Sequence, residues 1–259
     1  TLYFNKATQF ISYINSDYKE YQATLKLGEK TDSGDLTGKL IGEKEYGHIT
    51  KESFESNLSF FIGKIKQIPP MFSAVKFKGK PLYKYARSGK TVERKERDGA
   101  VSGIDILSFK PPLIELRISC KSGLYIRTLC EDIAERNDSL AHLIELRRLT
   151  NGRFSYKDSI PLEDLRDVKS LEEIPFIKLE EFFLTFQTIE IEDPFLKSFV
   201  NGDFNKIDSW IKNYFSEKKD QLKLTEGYFT FISKTGKLIG ILTVGKDLNF
   251  SFKTFGGWV

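Results

Sequence analysis

The stretch CKSGLYIRTLCEDIAE, residues 120–135, puts a phenol (Tyr125) and a guanidinium (Arg127) on either side of Ile126. It opens like a buried strand and closes with the spacing of an amphipathic helix, so both groups fall where the strand hands over to the helix. A third such group, Tyr21, opens the alternating run YQATLKLG. A phenol offers a flat face for stacking and a polar handle for proton transfer. Arg127 also has Glu131 four residues on as a local partner. Other chemistry is poorly supplied. The two cysteines, Cys120 and Cys130, form no CxxC pair, and the two histidines, His48 and His142, form no HExxH-like motif. A zinc site, a Ser-His-Asp triad and a disulfide scaffold all need more than this. Carboxylates, tyrosines and arginines remain.

The charge distribution suggests what those groups would meet. Net charge is only +4, yet residues 64–97 hold eleven Lys/Arg against two Glu, interleaved with Phe72, Phe77, Tyr83 and Tyr85. Basic charge among aromatic planes neutralises phosphates and stacks on bases. The bland alternative is a solvated charged surface. No apolar run approaches the roughly 18 residues of a membrane span, so a soluble, cytoplasmic protein is expected.

These groups need elements to hold them. Residues 5–14 carry Ala7, Phe10, Ile11 and Ile14 on one helical face behind Asn5 as a candidate N-cap. A strand is expected over 21–28, then a loop, EKTDSGDLTG, over 29–38. Thr50 should cap a helix that turns Phe54, Leu58, Phe61 and Ile62 inward and ends at Gly63. Pro69-Pro70 and Gly79-Lys80-Pro81 mark the basic segment 64–97 as an irregular excursion. LIELRISCK (113–121) alternates as a half-buried strand, a helix follows over about 126–136, and SLAHLIELRRL (139–149) is expected as another helix. Asn151-Gly152 signals a hairpin turn into a strand from Arg153. Residues 166–186 look like acidic helical connecting material. From 187, TIEIE, EGYFTFIS and KLIGILTVG form a short-strand pattern. The expectation is an α+β fold, with a mixed-sheet domain over 1–186 flanked by helices and a small β-rich domain over 187–259.

Four stretches, in order, resemble the TruB family of bacterial-type tRNA pseudouridine-55 synthases: YQATLKLGEKTDSGDLTG, QIPPMFSAVKFKGKPLYKYARSG, KSGLYIRTLCEDIA and HLIELRRL. The tail more faintly resembles a PUA domain, an RNA-binding β-barrel, through VNGDF and GKLIGI. The resemblance implies an isomerase that flips a uridine out of the tRNA T-loop, breaks its glycosidic bond through a nucleophilic Asp, turns the base and rejoins it through carbon. It implies no cofactor or metal, tRNA as the partner, and a monomer with no protein partner.

Residue by residue, Tyr21 matches the family's active-site tyrosine, Tyr125 a second tyrosine on the flipped nucleotide, Leu146 a leucine of the base pocket and Arg127 the arginine beside the nucleophile. Lys76, Lys78 and Lys80 would meet RNA phosphates. Asp32 and Asp35 match positions downstream of the nucleophile and are expected only to shape their loop, and His142 is expected to be structural. The GxLDP-type motif that carries the nucleophile aligns roughly eight residues before Thr1, so a chain recorded in part is expected. The alternative is an inactive tRNA-binding module or folding chaperone that keeps the pocket. A third reading is a plain interaction protein whose basic segment binds acidic partners.

Overall fold

The computed structural model describes residues 1–14, 18–217, 227–245 and 250–255. The chain divides into two compact units: residues 1–3 with 10–161, and residues 4–9 with 162–259.

In the first unit a short helix, α1 (Ile11–Ile14), precedes β1 (Tyr18–Leu27). Residues 5–10 ahead of it are 3-10 rather than α-helical, and Asn5 has a positive φ of 50° instead of the extended backbone of an N-cap. The loop that follows is framed by β2 (Glu29–Thr31) and β3 (Leu40–Glu43), which pair antiparallel. Next comes α2 (Lys51–Leu58), where Thr50 accepts from the Ser53 N–H and Ser53 returns the bond, a complete capping box. This helix stops before the expected Gly63. One 3-10 turn follows, then β4 (Gly63–Gln67), and Ile62 is exposed.

The basic segment is less irregular than expected. It holds a hairpin of β5 (Lys76–Phe77) and β6 (Lys80–Pro81), then α3 (Leu82–Arg87) anchored by buried Leu82. β7 (Arg97–Lys110), β8 (Leu113–Lys121), α4 (Ile126–Arg136), β9 (Ala141–Asn151) and β10 (Phe154–Ser155) complete the unit. Six strands form one sheet in the order β10-β9-β1-β8-β7-β4, and every ladder in it is antiparallel.

The segment over 139–149 is a correction: it is strand β9, not a helix. Its leucine spacing satisfies a helical template, but β1 has a free edge that needs nine residue pairs, Lys19↔Asn151 to Leu27↔Ala141. Two bulges in this ladder break the strict alternation that would have marked a strand in the sequence.

Burial follows the pleat. On β8, Ile114, Leu116, Ile118 and Cys120 are buried while Arg117 points out. The same face of β1 buries Ala23, Leu25 and Leu27. α4 covers this face with Ile126, Leu129, Cys130, Ile133 and Ala134, and α2 adds Phe54 and Leu58. Each fully buried Leu or Ile stabilises the unit by about 1.5–3 kcal/mol, which fixes where α4 begins.

In the second unit residues 166–186 are mostly irregular, with one 3-10 turn and α5 (Leu179–Phe183), whose Phe182 and Phe183 are buried. The three expected strands appear as β11 (Gln187–Ile191), β12 (Gly227–Ser233) and β13 (Leu238–Val244), with β14 (Phe250–Thr254) closing a four-stranded sheet. Between β11 and β12 lie α6 (Asp193–Asn201) and α7 (Phe204–Glu217), so this pair alone is parallel. The short-strand pattern gave no sign of these helices.

Candidate active site

Tyr125 is the N-cap residue of α4, with extended backbone (φ −97°, ψ 104°). Burial of Ile126 and Leu129 against the sheet sets the rotation of the helix and leaves Arg127 on its flank. Arg127 does not pair with Glu131. Its Nη1 donates to the Ser33 carbonyl and to Asp35 Oδ2, both at 2.8 Å, and its Nη2 donates to the Phe72 carbonyl at 2.7 Å. The Arg127–Asp35 pair is shielded, with side chains 23% and 30% exposed. Burial pushes the Glu131 carboxyl up, and its cation is Lys30, 3.9 Å away.

Asp35 is the residue whose role sequence reasoning missed. It does shape its loop: Oδ1 accepts from Ser33 Oγ at 2.7 Å, Thr37 Oγ1 at 2.6 Å and the Thr37 N–H at 3.1 Å. Its other oxygen holds Arg127. Burial disfavours its charge, but the bonds from Thr37 and Ser33, with the Arg127 charge behind them, hold its carboxyl below the usual range. The loop itself is pinned, because the Gly34 carbonyl accepts from the Leu143 N–H at 3.0 Å and Asp35 bridges Leu143 of β9. Gly34 sits at φ +74°, a left-handed backbone that favours glycine, and a Cβ there would push the Glu131 carboxylate aside. TDSGD announces a turn in the sequence. Which cation it would hold depends on residue 127, brought back by six intervening strands and two helices.

Tyr21 continues the core-facing side of β1, opposite Ile118 on β8 and Arg148 on β9. It is half-buried against the cluster that α4 covers. Burial raises the Tyr21 phenol above its ordinary range and Arg148 works against the rise, so the hydroxyl stays protonated near neutrality. Leu146 lies opposite Ala23, diagonal to Tyr21 on one face, where such neighbours interact. It is 46% exposed although Ala23 beside it is fully buried. The open leucine and the half-buried tyrosine leave apolar surface accessible at the end of the core. Arg148, on the same side, was not singled out in the sequence.

Lys76, Lys78 and Lys80 are exposed on the β5–β6 hairpin. Lys78 Nζ lies 5.5 Å from the centre of the Phe77 ring and Lys80 Nζ 4.8 Å from that of Tyr85. Tyr85 in turn donates to the Phe77 carbonyl at 3.2 Å. Lys78 and Lys80 are therefore carried on a small aromatic platform, with Lys76 on the same hairpin. His142 is buried, with Nδ1 3.2 Å from the Glu29 carbonyl, a structural role. Among the described residues no group of three or more His, Cys, Asp or Glu is placed to hold a metal ion. No helix among them is long and apolar enough to cross a membrane.

The model of the TruB family pseudouridylate synthase N-terminal domain matches residues 1–126, and that of the tRNA pseudouridylate synthase B C-terminal domain matches residues 127–185. Over 196 residues the chain is 38% identical to tRNA pseudouridine synthase B of Clostridium tetani, covering 76% of this chain and 67% of that protein. Over 221 residues it is 36% identical to the protein of the same name from Francisella philomiragia, covering 83% and 73%. The match to the Geobacter sulfurreducens protein of that name spans 54% of its length. Among solved structures, the crystal structure of a Cbf5-Nop10-Gar1 complex superposes with a TM-score of 0.59 at 18% identity, over 97% of this chain and 69% of that one. That likeness concerns the fold.

Proposed function

The chain belongs to the TruB family of pseudouridylate synthases, and from that premise we propose that the intact protein isomerises a uridine in the T-loop of tRNA, position 55, using the pocket around Arg127. The family reaction breaks the glycosidic bond from C1′ to N1, forms one from C1′ to C5, removes the C5 proton and leaves a proton on N1. Atoms and electrons balance without an oxidant or reductant.

In this reading Tyr21 and Leu146 receive the base that leaves the stack, and Tyr125 contacts the flipped nucleotide. Flipping costs a few kcal/mol, which stacking and hydrogen bonds in the pocket would offset. The raised phenol of Tyr21 suits it to donate a proton or hydrogen bond rather than to act as a standing phenolate. Lys76, Lys78 and Lys80 neutralise phosphates of the T-arm. The first unit, residues 10–161 with 1–3, carries the synthase, and the second, whose main stretch begins at Leu162 rather than at the expected residue 187, adds RNA contacts. A cytoplasmic monomer suffices.

The observation that carries the proposal is the state of Arg127. A guanidinium has five N–H donors. Two from Nη1 and one from Nη2 go to Ser33, Asp35 and Phe72. Among the described residues the Nε–H and one Nη2–H meet no acceptor, and they would hold a nucleophilic carboxylate ionised and aimed at C1′. The GxLDP-type motif is not among residues 1–259, so the nucleophile itself is part of the proposal. The test is to incubate the intact protein with unmodified tRNA and map pseudouridine chemically. Conversion confined to the T-loop supports the reading. Tight binding without conversion would favour a folding chaperone.

A further inference from the structure

We propose that Gln67 is a positioning residue for this reaction: its side-chain amide clamps the main chain of Tyr125 and so sets where the Tyr125 ring and the Arg127 guanidinium stand. The proposal rests on the reading of Tyr125 and Arg127 as site residues.

Gln67 ends β4, the edge strand of the large sheet, just where the chain leaves the sheet for the basic excursion. Its side chain turns inward, and the residue is only 4% exposed. There its Oε1 accepts from the Tyr125 N–H at 3.0 Å and its Nε2 donates to the Tyr125 carbonyl at 3.3 Å. The Tyr125 peptide needs such a partner. β8 has ended at Lys121, and an N-cap N–H points out of its own helix, so without Gln67 this donor would have neither strand nor helix to meet. The carbonyl already starts α4 by accepting from the Leu129 N–H at 3.0 Å. Only a carboxamide of this length offers a donor and an acceptor together, as a neighbouring strand would.

The clamp acts where geometry matters most. Tyr125 is the extended N-cap residue of α4, so its dihedrals aim its own ring and set the start of the helix that bears Arg127. The same segment takes hold a second time, because Phe72, five residues beyond Gln67, accepts from Arg127 Nη2. Arg94 closes the base of the excursion by donating to the Pro69 carbonyl at 3.0 Å. The root of the lysine-bearing excursion is therefore bonded on both sides of buried Ile126, and Gln67 is the first of these bonds.

Two variants of the intact protein test this. Gln67→Met removes both hydrogen bonds at similar length, and Gln67→Glu keeps the acceptor for the Tyr125 N–H while losing the donor. Single-turnover conversion of tRNA by Gln67→Met should fall about ten- to hundredfold, the effect of a small misplacement of reacting groups. Its tRNA affinity should stay within about threefold, a loss of kcat without loss of binding. Gln67→Glu should regain rate relative to wild type as the pH is lowered, since a protonated carboxyl again donates to the Tyr125 carbonyl. Leu58→Ala, a core change on α2, controls for general destabilisation and should melt earlier while the folded enzyme turns over normally. Wild-type turnover by Gln67→Met would overturn the proposal, as would a deficit no larger than that of Leu58→Ala. If Gln67→Met fails to fold, the pH rescue decides, and a pH-independent deficit in Gln67→Glu overturns the proposal. If wild-type protein converts no uridine, the functional reading fails instead. The clamp is then judged by hydrogen exchange at the Tyr125 amide, which Gln67→Met should accelerate and which an unchanged rate would refute.

Discussion

Asp35→Asn should loosen α4 by an amount the structure lets one work out. The carboxylate accepts three hydrogen bonds on Oδ1 and the Arg127 Nη1 bond on Oδ2. An asparagine of the same shape must turn its NH₂ either toward Arg127 or toward the Thr37 N–H, so one side becomes donor against donor. Losing a hydrogen bond to a charged group costs about 1.5–3 kcal/mol. Arg127 keeps the Ser33 and Phe72 carbonyls, and the pair is partly screened by water, so the lower part of that range, about 1.5–2 kcal/mol, is expected. Both tryptophans of the chain, Trp210 and Trp258, lie outside residues 10–161, so their fluorescence would report the wrong unit. Hydrogen exchange of the α4 amides reports the right one. It should quicken by about 10–30-fold, at tenfold per 1.4 kcal/mol. The pH dependence has a definite sign. The Asp35 carboxyl is depressed in the folded chain, so its contribution is complete above the unfolded value of about 3.9 and is lost as pH falls through the folded one. The gap between wild type and variant should therefore close in acid. Exchange within twofold of wild type at neutral pH would refute the reasoning.

Tyr21→Phe should leave tRNA binding nearly intact while cutting single-turnover conversion, because the ring face stays and the hydroxyl goes; an unchanged rate would limit Tyr21 to stacking. Replacing Lys76, Lys78 and Lys80 together by Ala should weaken tRNA binding and flatten its salt dependence, by close to one unit of slope for each phosphate no longer neutralised; an unchanged slope would remove the hairpin from the RNA interface. Asp132→Asn should raise the melting temperature at neutral pH. Burial, and then the Glu135 charge, push the Asp132 acid up to about 6, so the folded chain holds a proton that the unfolded chain releases, and stability falls as pH rises between the two values. The advantage of the variant should fade below that window, and a gain independent of pH would point to another cause.

Much of this is legible in the sequence. The strand-to-helix hand-over at Tyr125 and Arg127, the cap at Thr50 and the alternation of β8 are local signals, and each stands as read. The long leucine-rich segment after Asp138 was misread, because its bulges hide the period of a strand and its pairing with β1 is decided by a distant edge. Asp35 shows the same boundary at the site. Its turn chemistry is written within five residues, but its ion pair with Arg127 spans 92 positions. Gln67 gave no signal in the sequence, since a glutamine closing a strand is ordinary until its amide is seen against the Tyr125 peptide. Leu146, matched in the sequence to a leucine of the base pocket, is an exposed leucine on a core-facing strand.

The central claim is that the Arg127 pocket isomerises uridine in tRNA. Forming the bond to C5 expels the hydrogen carried there, so tritium placed at C5 of the T-loop uridine is released to water with each turnover. The intact protein should release it, and Arg127→Ala should bind the same tRNA yet release essentially none. Either of two results would contradict the account: no tritium from the intact wild-type protein, or undiminished release from Arg127→Ala.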